Sequence, residues 1–161
     1  MIQKFYTYAD TFARYFVLTL FGVLLLIGAL QVIARYVLGA PLDWSEELLK
    51  FTHIWLVFMA IPIAYNRGSH ICVDMLSMHF PARFQGLFAF IVDLLWVAFA
   101  AIFIYYSTII MEVSSRQTSA GLQIPMSWVY FGVVVGVFYL LLCALRNLGE
   151  RLARGLGEVP Q

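Results

Sequence analysis

PLDWSEELLKFTHIWLVFMAIPIAYNRGSHICVD, residues 41–74, holds the key to the whole chain. It opens on a proline followed by an acidic cluster, Asp43, Glu46 and Glu47. Asp43 with Glu46 three residues later has the pattern of a capping box, in which side chains at the helix start accept backbone N–H groups. Negative charge in a first turn is also favoured by the positive end of the helix dipole. A mostly apolar run to Asn66 follows, long enough for the roughly 20 apolar residues that a membrane-spanning helix needs. The stretch then turns polar at Asn66-Arg67-Gly68-Ser69-His70. Residues 44–66 are therefore predicted to form one membrane span, acidic where it starts and basic where it ends. Pro62 removes a backbone donor near the far end and marks a place for a kink.

The remainder of the chain reads as apolar helix before and after this stretch. Of its 161 residues, 63% are hydrophobic and 12% charged, against about 45–50% and about 25% in soluble domains. A chain this short cannot hide so much apolar surface from water, which makes lipid its solvent. The length accommodates four spans and leaves no room for a soluble domain. The other three are predicted at 15–36, 84–111 and 124–145, giving an all-α integral membrane protein with a single membrane domain over 1–161. Gln31 is the most polar residue of the first span, and Arg35 lies one turn further along the same face. Gly39-Ala40-Pro41 breaks that helix. Residues 84–111 exceed a hydrocarbon core of about 30 Å, so that helix tilts or projects from one surface.

At the N-terminus, Phe5, Tyr8, Phe12 and Phe16 fall at helical spacing beside an Asp10–Arg14 i, i+4 pair. This fits a short amphipathic lead-in lying on the membrane surface. Residues 67–83 leave room for a second interfacial helix before Pro81. The tail after Leu145 is basic and begins as helix.

Lysine and arginine counts predict the orientation. With four spans, Lys4, Arg14, Arg67, Arg83, Arg146, Arg151 and Arg154 share one side, and only Arg35, Lys50 and Arg116 the other. Both termini are thus expected in the cytoplasm.

Chemistry-bearing patterns are sparse. A net charge of +1 offers no basic field for nucleic acid. Cys72 and Cys143 are far apart and read as small apolar fillers. No nucleotide-binding glycine motif occurs, and no nucleophile–base pair or metal cluster declares itself, so neither an enzyme nor a cofactor site is expected. Of His53, His70 and His79, only His53 lies inside a span, without the second histidine that haem ligation needs. Asp93 is the one ionisable residue within the third span. Intramembrane carboxylates are expensive, so Asp93 is expected to find an arginine, nearby or on a partner, or to reach water at the interface.

Three further patterns leave two readings each. Glu46, Lys50 and His53 lie at i, i+4 and i+7, either a polar seam meeting another polypeptide or lipid headgroups, or an internal salt bridge. Gln31 and Arg35 form a contact to lipid or a partner, or an arginine simply snorkels beside an amide. Gly132-Val-Val-Val-Gly136 is a GxxxG, which lets a partner helix approach closely or reflects the general abundance of glycine in membrane helices.

Several of these residues recur in a known family. The chain resembles the DctQ-type small membrane subunit of tripartite ATP-independent periplasmic (TRAP) transporters. The likeness begins at Ala34-Arg35-Tyr36 and continues through Pro41-Leu42-x-Trp44-Ser45-Glu46-Glu47-Leu48 and Trp55-Leu56-Val57-Phe58. It covers Arg67-Gly68-x-His70-Ile71-x-Val73-Asp74, Pro81, and Ile124-Pro125-x-Ser127-Trp128-Val129-Tyr130, in all about residues 16–146. Met59-Ala60 followed by Pro62 departs from it, where a glycine-containing stretch is expected.

This resemblance implies four membrane helices in a bacterial inner membrane and a scaffolding role beside a large, DctM-type elevator permease. It implies sodium-driven uptake of an organic acid, of the dicarboxylate or sialic-acid class, delivered by a periplasmic binding protein. Asp43, Trp44, Glu46, Glu47 and Lys50 would then face the periplasm near the docked binding protein. Arg67, His70 and Asp74 would lie at the cytoplasmic interface, ordering the turn or holding phospholipid headgroups. Two other classes remain open, a membrane anchor of a respiratory enzyme and a stand-alone four-helix exporter.

Overall fold

A computed structural model describes residues 2–40, 42–67 and 82–154, with side chains described over 8–40, 42–67 and 87–153. Four long helices account for nearly all of it: α1 (Ile2–Tyr36), α2 (Asp43–Asn66), α3 (Ala82–Ser114) and α4 (Ser127–Arg154). Each contains a stretch long and apolar enough to cross a membrane: Tyr8–Tyr36, Asp43–Asn66, Leu87–Ser114 and Ser127–Ala153. The protein is a multi-pass, all-α membrane protein.

Beyond shifts of two or three residues at the ends of α3 and the extension of α4 to Arg154, three features differ from what the sequence suggests. First, α1 is one continuous helix of 35 residues, about 52 Å long at 1.5 Å per residue. The N-terminal segment expected to lie on the membrane surface is continuous with the span. Second, α4 starts at Ser127, not Ile124, because residues 117–126 fold back on themselves. Met126 N–H donates to the Gln117 carbonyl and Ser119 N–H to the Ile124 carbonyl, both at 2.9 Å, around a bridge between Thr118 and Pro125. Third, the capping box does not form. Leu42 occupies the cap position of α2 and makes no side-chain cap bond, and Asp43 is already helical. The Ser45 hydroxyl turns back to the Leu42 carbonyl at 2.7 Å, and Glu46 is drawn across to α1. The interfacial helix expected between the second and third spans, with His70, Asp74 and Pro81, lies outside the described residues.

The turn after α1 needs one left-handed residue, and Gly39 supplies it at φ 64°. Ala40 N–H then closes onto the Ala34 carbonyl at 3.0 Å.

Helix α4 is the centre of the molecule. Its Val133, Val137, Leu140, Cys143 and Ala144 form a buried core with Tyr65 of α2 and Ala100 of α3. The backbones of α2 and α3 both lie close to that of α4, and the backbone of α1 lies close to that of α2, with side chains of α1 reaching Tyr139 of α4. Aromatic rings bridge the wider gap between α2 and α3, with Phe58 against Phe103 and Tyr65 against Trp96. A second small core, Ala13, Met59 and Ile63 with Phe16 and Tyr139, seats α1. Most of the remaining apolar side chains of α1 and α3 point outward, among them Leu18, Leu26, Leu95 and Ile102. Outward apolar surface is what a lipid-facing helix requires.

Candidate functional site

The polar side chains concentrate at the two ends of the bundle. One end carries the turn after α1 and the loop before α4, and is here the loop end. The other carries the described starts of α1 and α3 and the ends of α2 and α4, and is the terminus end.

At the loop end, the two glutamates of the W-S-E-E stretch point to different neighbours. Glu46 faces α1, where its Oε1 accepts Arg35 Nη2 at 2.8 Å and Gln31 Nε2 at 3.2 Å. Gln31 and Arg35, read as contacts to lipid or a partner, are thus joined to a carboxylate of their own chain. The i, i+4 salt bridge from Glu46 to Lys50 does not form, because Glu46 is taken by Arg35. Glu47 faces the loop instead. Its two oxygens accept the backbone N–H groups of Gly121 and Leu122, each at 2.9 Å. A Cβ at position 121 would stand 3.2 Å from the Glu47 carboxylate and 3.4 Å from Trp44 Cα. Glycine there lets the loop close onto α2. Asp43 and Trp44 are exposed beside this clasp and line an open cleft of about 680 Å³ with Glu47 and Gly121. Lys50 lines a smaller neighbouring cleft of about 330 Å³.

Midway along, α2 and α4 meet through the GxxxG. A Cβ on Gly132 would fall 2.4 Å from the Trp55 indole, and one on Gly136 2.4 Å from the Phe58 carbonyl oxygen. The helix that these glycines admit is α2 of the same chain. Trp55 Nε1 also donates to the Trp128 carbonyl at 3.2 Å, tying its ring across α4.

At the terminus end, Asp93 is buried and fully engaged. Tyr65 donates its hydroxyl to Oδ1 at 2.9 Å, and Arg151 donates Nε to Oδ2 at 2.8 Å. Three helices therefore converge on one carboxylate. Sequence reasoning singled out Asp93 but missed Tyr65 and Arg151. The signal was available: a lone carboxylate in a span pointed to a cation at matching depth, and the arginines of the last helix were candidates. Close by, Asn66 Nδ2 donates to Cys143 Sγ at 3.2 Å, and Arg14 pairs with Asp10 on α1. Arg67 is exposed just past α2. His70 and Asp74, the other residues expected at this edge, lie outside the described residues. Among the described residues, no group of three histidine, cysteine or carboxylate side chains is placed to hold a metal.

These contacts define a class: a four-helix membrane protein whose described polar groups chiefly brace its own helices. Residues 24–154 match the family model of the DctQ component of tripartite ATP-independent periplasmic transporters. The chain belongs to that family. It is 31% identical over 116 residues to the isethionate TRAP transporter permease protein DctMQ of Oleidesulfovibrio alaskensis, covering 71% of this chain and 18% of that one. A protein of Haemophilus influenzae provisionally named as a TRAP transporter small permease is 25% identical over 131 residues, covering 81% of each chain. The C4-dicarboxylate TRAP transporter small permease protein DctQ of Vibrio cholerae is 26% identical, covering 74% of this chain and 52% of that protein. The chain thus spans under a fifth of the DctMQ relative and most of the Haemophilus protein.

Proposed function

We propose that this chain is the non-catalytic small subunit of a TRAP transporter, scaffolding a large DctM-type permease of the elevator kind in a bacterial inner membrane. The observation that carries this reading is the closed state of Asp93. A substrate or ion path needs polar groups at membrane depth that are free to bind and release. The carboxylate buried in α3 is instead held by Tyr65 and Arg151, which suits a bracing part rather than a moving one. The relative that carries both permease names in one longer polypeptide supports a large permease as the neighbour.

In this reading both termini are cytoplasmic, and the loop end faces the periplasm. Asp43 and Trp44, beside the cleft, then stand where a substrate-binding protein would dock. Transport is sodium-driven uptake of an organic acid, with the substrate held by the large subunit. Phospholipid headgroups are held at the basic inner edge by Arg67. Arg67→Ala is then expected to lower the anionic lipid retained by the purified complex, and unchanged lipid content by mass spectrometry would remove that role.

The functional test is uptake into proteoliposomes under an inward sodium gradient. Large permease, this chain and the binding protein together are expected to accumulate substrate, whereas this chain with the binding protein but no large permease is expected to accumulate none. Uptake by this chain without the permease would refute a scaffolding role.

A further inference from the structure

Between Glu47 and Tyr65, the exposed residues of α2 are Lys50, His53, Val57 and Ala64, with the half-buried Ala60 in line. Their spacing is 3, 4, 3 and 4 residues. That 3.5-residue period is the seam along which two helices pack side by side. The opposite face of α2, with Trp55, Phe58 and Pro62, is covered within the chain.

This seam differs from the outward faces of α1 and α3 in two ways. Those faces carry bulky side chains such as Leu26, Tyr15, Leu95 and Ile102, which suit acyl chains. The α2 seam is narrow at one end, where Ala60 and Ala64 allow close backbone approach. It is polar at the other. His53 lies seven residues beyond Glu46, about 10 Å deeper along the helix. Among the described residues, neither Lys50 nor His53 has an ion pair or side-chain hydrogen bond. Lysine can snorkel to the interface, whereas imidazole is too short. Acyl chains offer His53 no hydrogen-bond partner, and polar groups at this depth usually face protein.

We infer that the Lys50–His53–Val57–Ala60–Ala64 face of α2 is the docking seam for a transmembrane helix of the large permease, which brings a hydrogen-bond acceptor to the depth of His53. The inference rests on the scaffold reading above and specifies where the partner sits.

The test is co-purification of the large permease with tagged chain from cells expressing both. Val57→Trp and Ala64→Trp place bulk on the seam without touching the internal core. They are expected to lower the permease recovered per chain about tenfold or more. Leu26→Trp on α1 and Leu95→Trp on α3 are expected to leave recovery at the wild-type level. Wild-type recovery by both seam variants, or loss by Leu26→Trp or Leu95→Trp alone, overturns the assignment. Failure of the wild-type chain to retain any permease would refute the scaffold reading itself and this inference with it. To separate docking from folding, a photo-reactive benzoylphenylalanine at position 57 is expected to cross-link to the permease. A cross-link confined to lipid or to this chain counts against the seam.

Discussion

Arg151 of α4 holds Asp93 of α3 at 2.8 Å, with the two side chains only 16% and 9% exposed. Tyr65 of α2 completes the arrangement from the other side. Breaking such a pair from one side strands a buried charge, which costs more than the pair contributes as a whole. Asp93→Ala is therefore expected to destabilise the protein by about 3–5 kcal/mol. The double change Asp93→Leu with Arg151→Met removes both charges and should recover most of that loss. Thermal unfolding in mild detergent compares the three proteins, and a single variant as stable as wild type would refute the role given to this cluster.

The ion pair at the loop end has the opposite character. Arg35 and Glu46 are each about half exposed, and exposed pairs contribute about 0–1 kcal/mol. Arg35→Ala is expected to shift stability by less than about 1 kcal/mol in the same melting assay. A loss as large as that of Asp93→Ala would mean that this end is far more enclosed than its exposure indicates.

The two glycines of α4 should differ in their tolerance of alanine. At Gly132 the added methyl meets the Trp55 ring, which can move aside only by giving up its hydrogen bond to Trp128, while the two backbones stay in place. At Gly136 it meets the backbone of Phe58, so the helices themselves must part. Overpacking costs about 1–3 kcal/mol, with Gly132→Ala expected near the lower end and Gly136→Ala near the upper. Equal melting temperatures for the two variants would contradict this packing.

Glu47 holds the loop before α4 through two backbone N–H groups. Glu47→Ala is expected to speed amide exchange across residues 117–126 several-fold while the cores of α2 and α4 stay protected. Hydrogen–deuterium exchange read by mass spectrometry resolves the two regions. Unchanged loop exchange would show that the clasp is dispensable.

The spans were legible because a run of about 20 apolar residues has few alternatives to crossing a membrane. Partners were harder to read, because periodicity gives the face of a residue but not the neighbour on that face. Glu46 could be matched to Lys50 by spacing, yet Arg35 lies closer once α1 packs on α2. A carboxylate within a span needs a cation, and only the packing of α3 on α4 singles out Arg151 for Asp93. The start of α4 lies later than the apolar run suggests because the loop closes on itself between Gln117 and Met126 and is clasped by Glu47, a residue far away in sequence. The GxxxG announced a close helix contact without saying that the contact is internal.

The measurement that bears most directly on the scaffold assignment is a gentle detergent pull-down of the tagged chain from its native membrane, followed by intact-mass analysis. The account predicts recovery of one larger polytopic permease in fixed proportion to this chain. Recovery of the chain alone, or with a haem- or flavin-bearing partner in place of a permease, would contradict it.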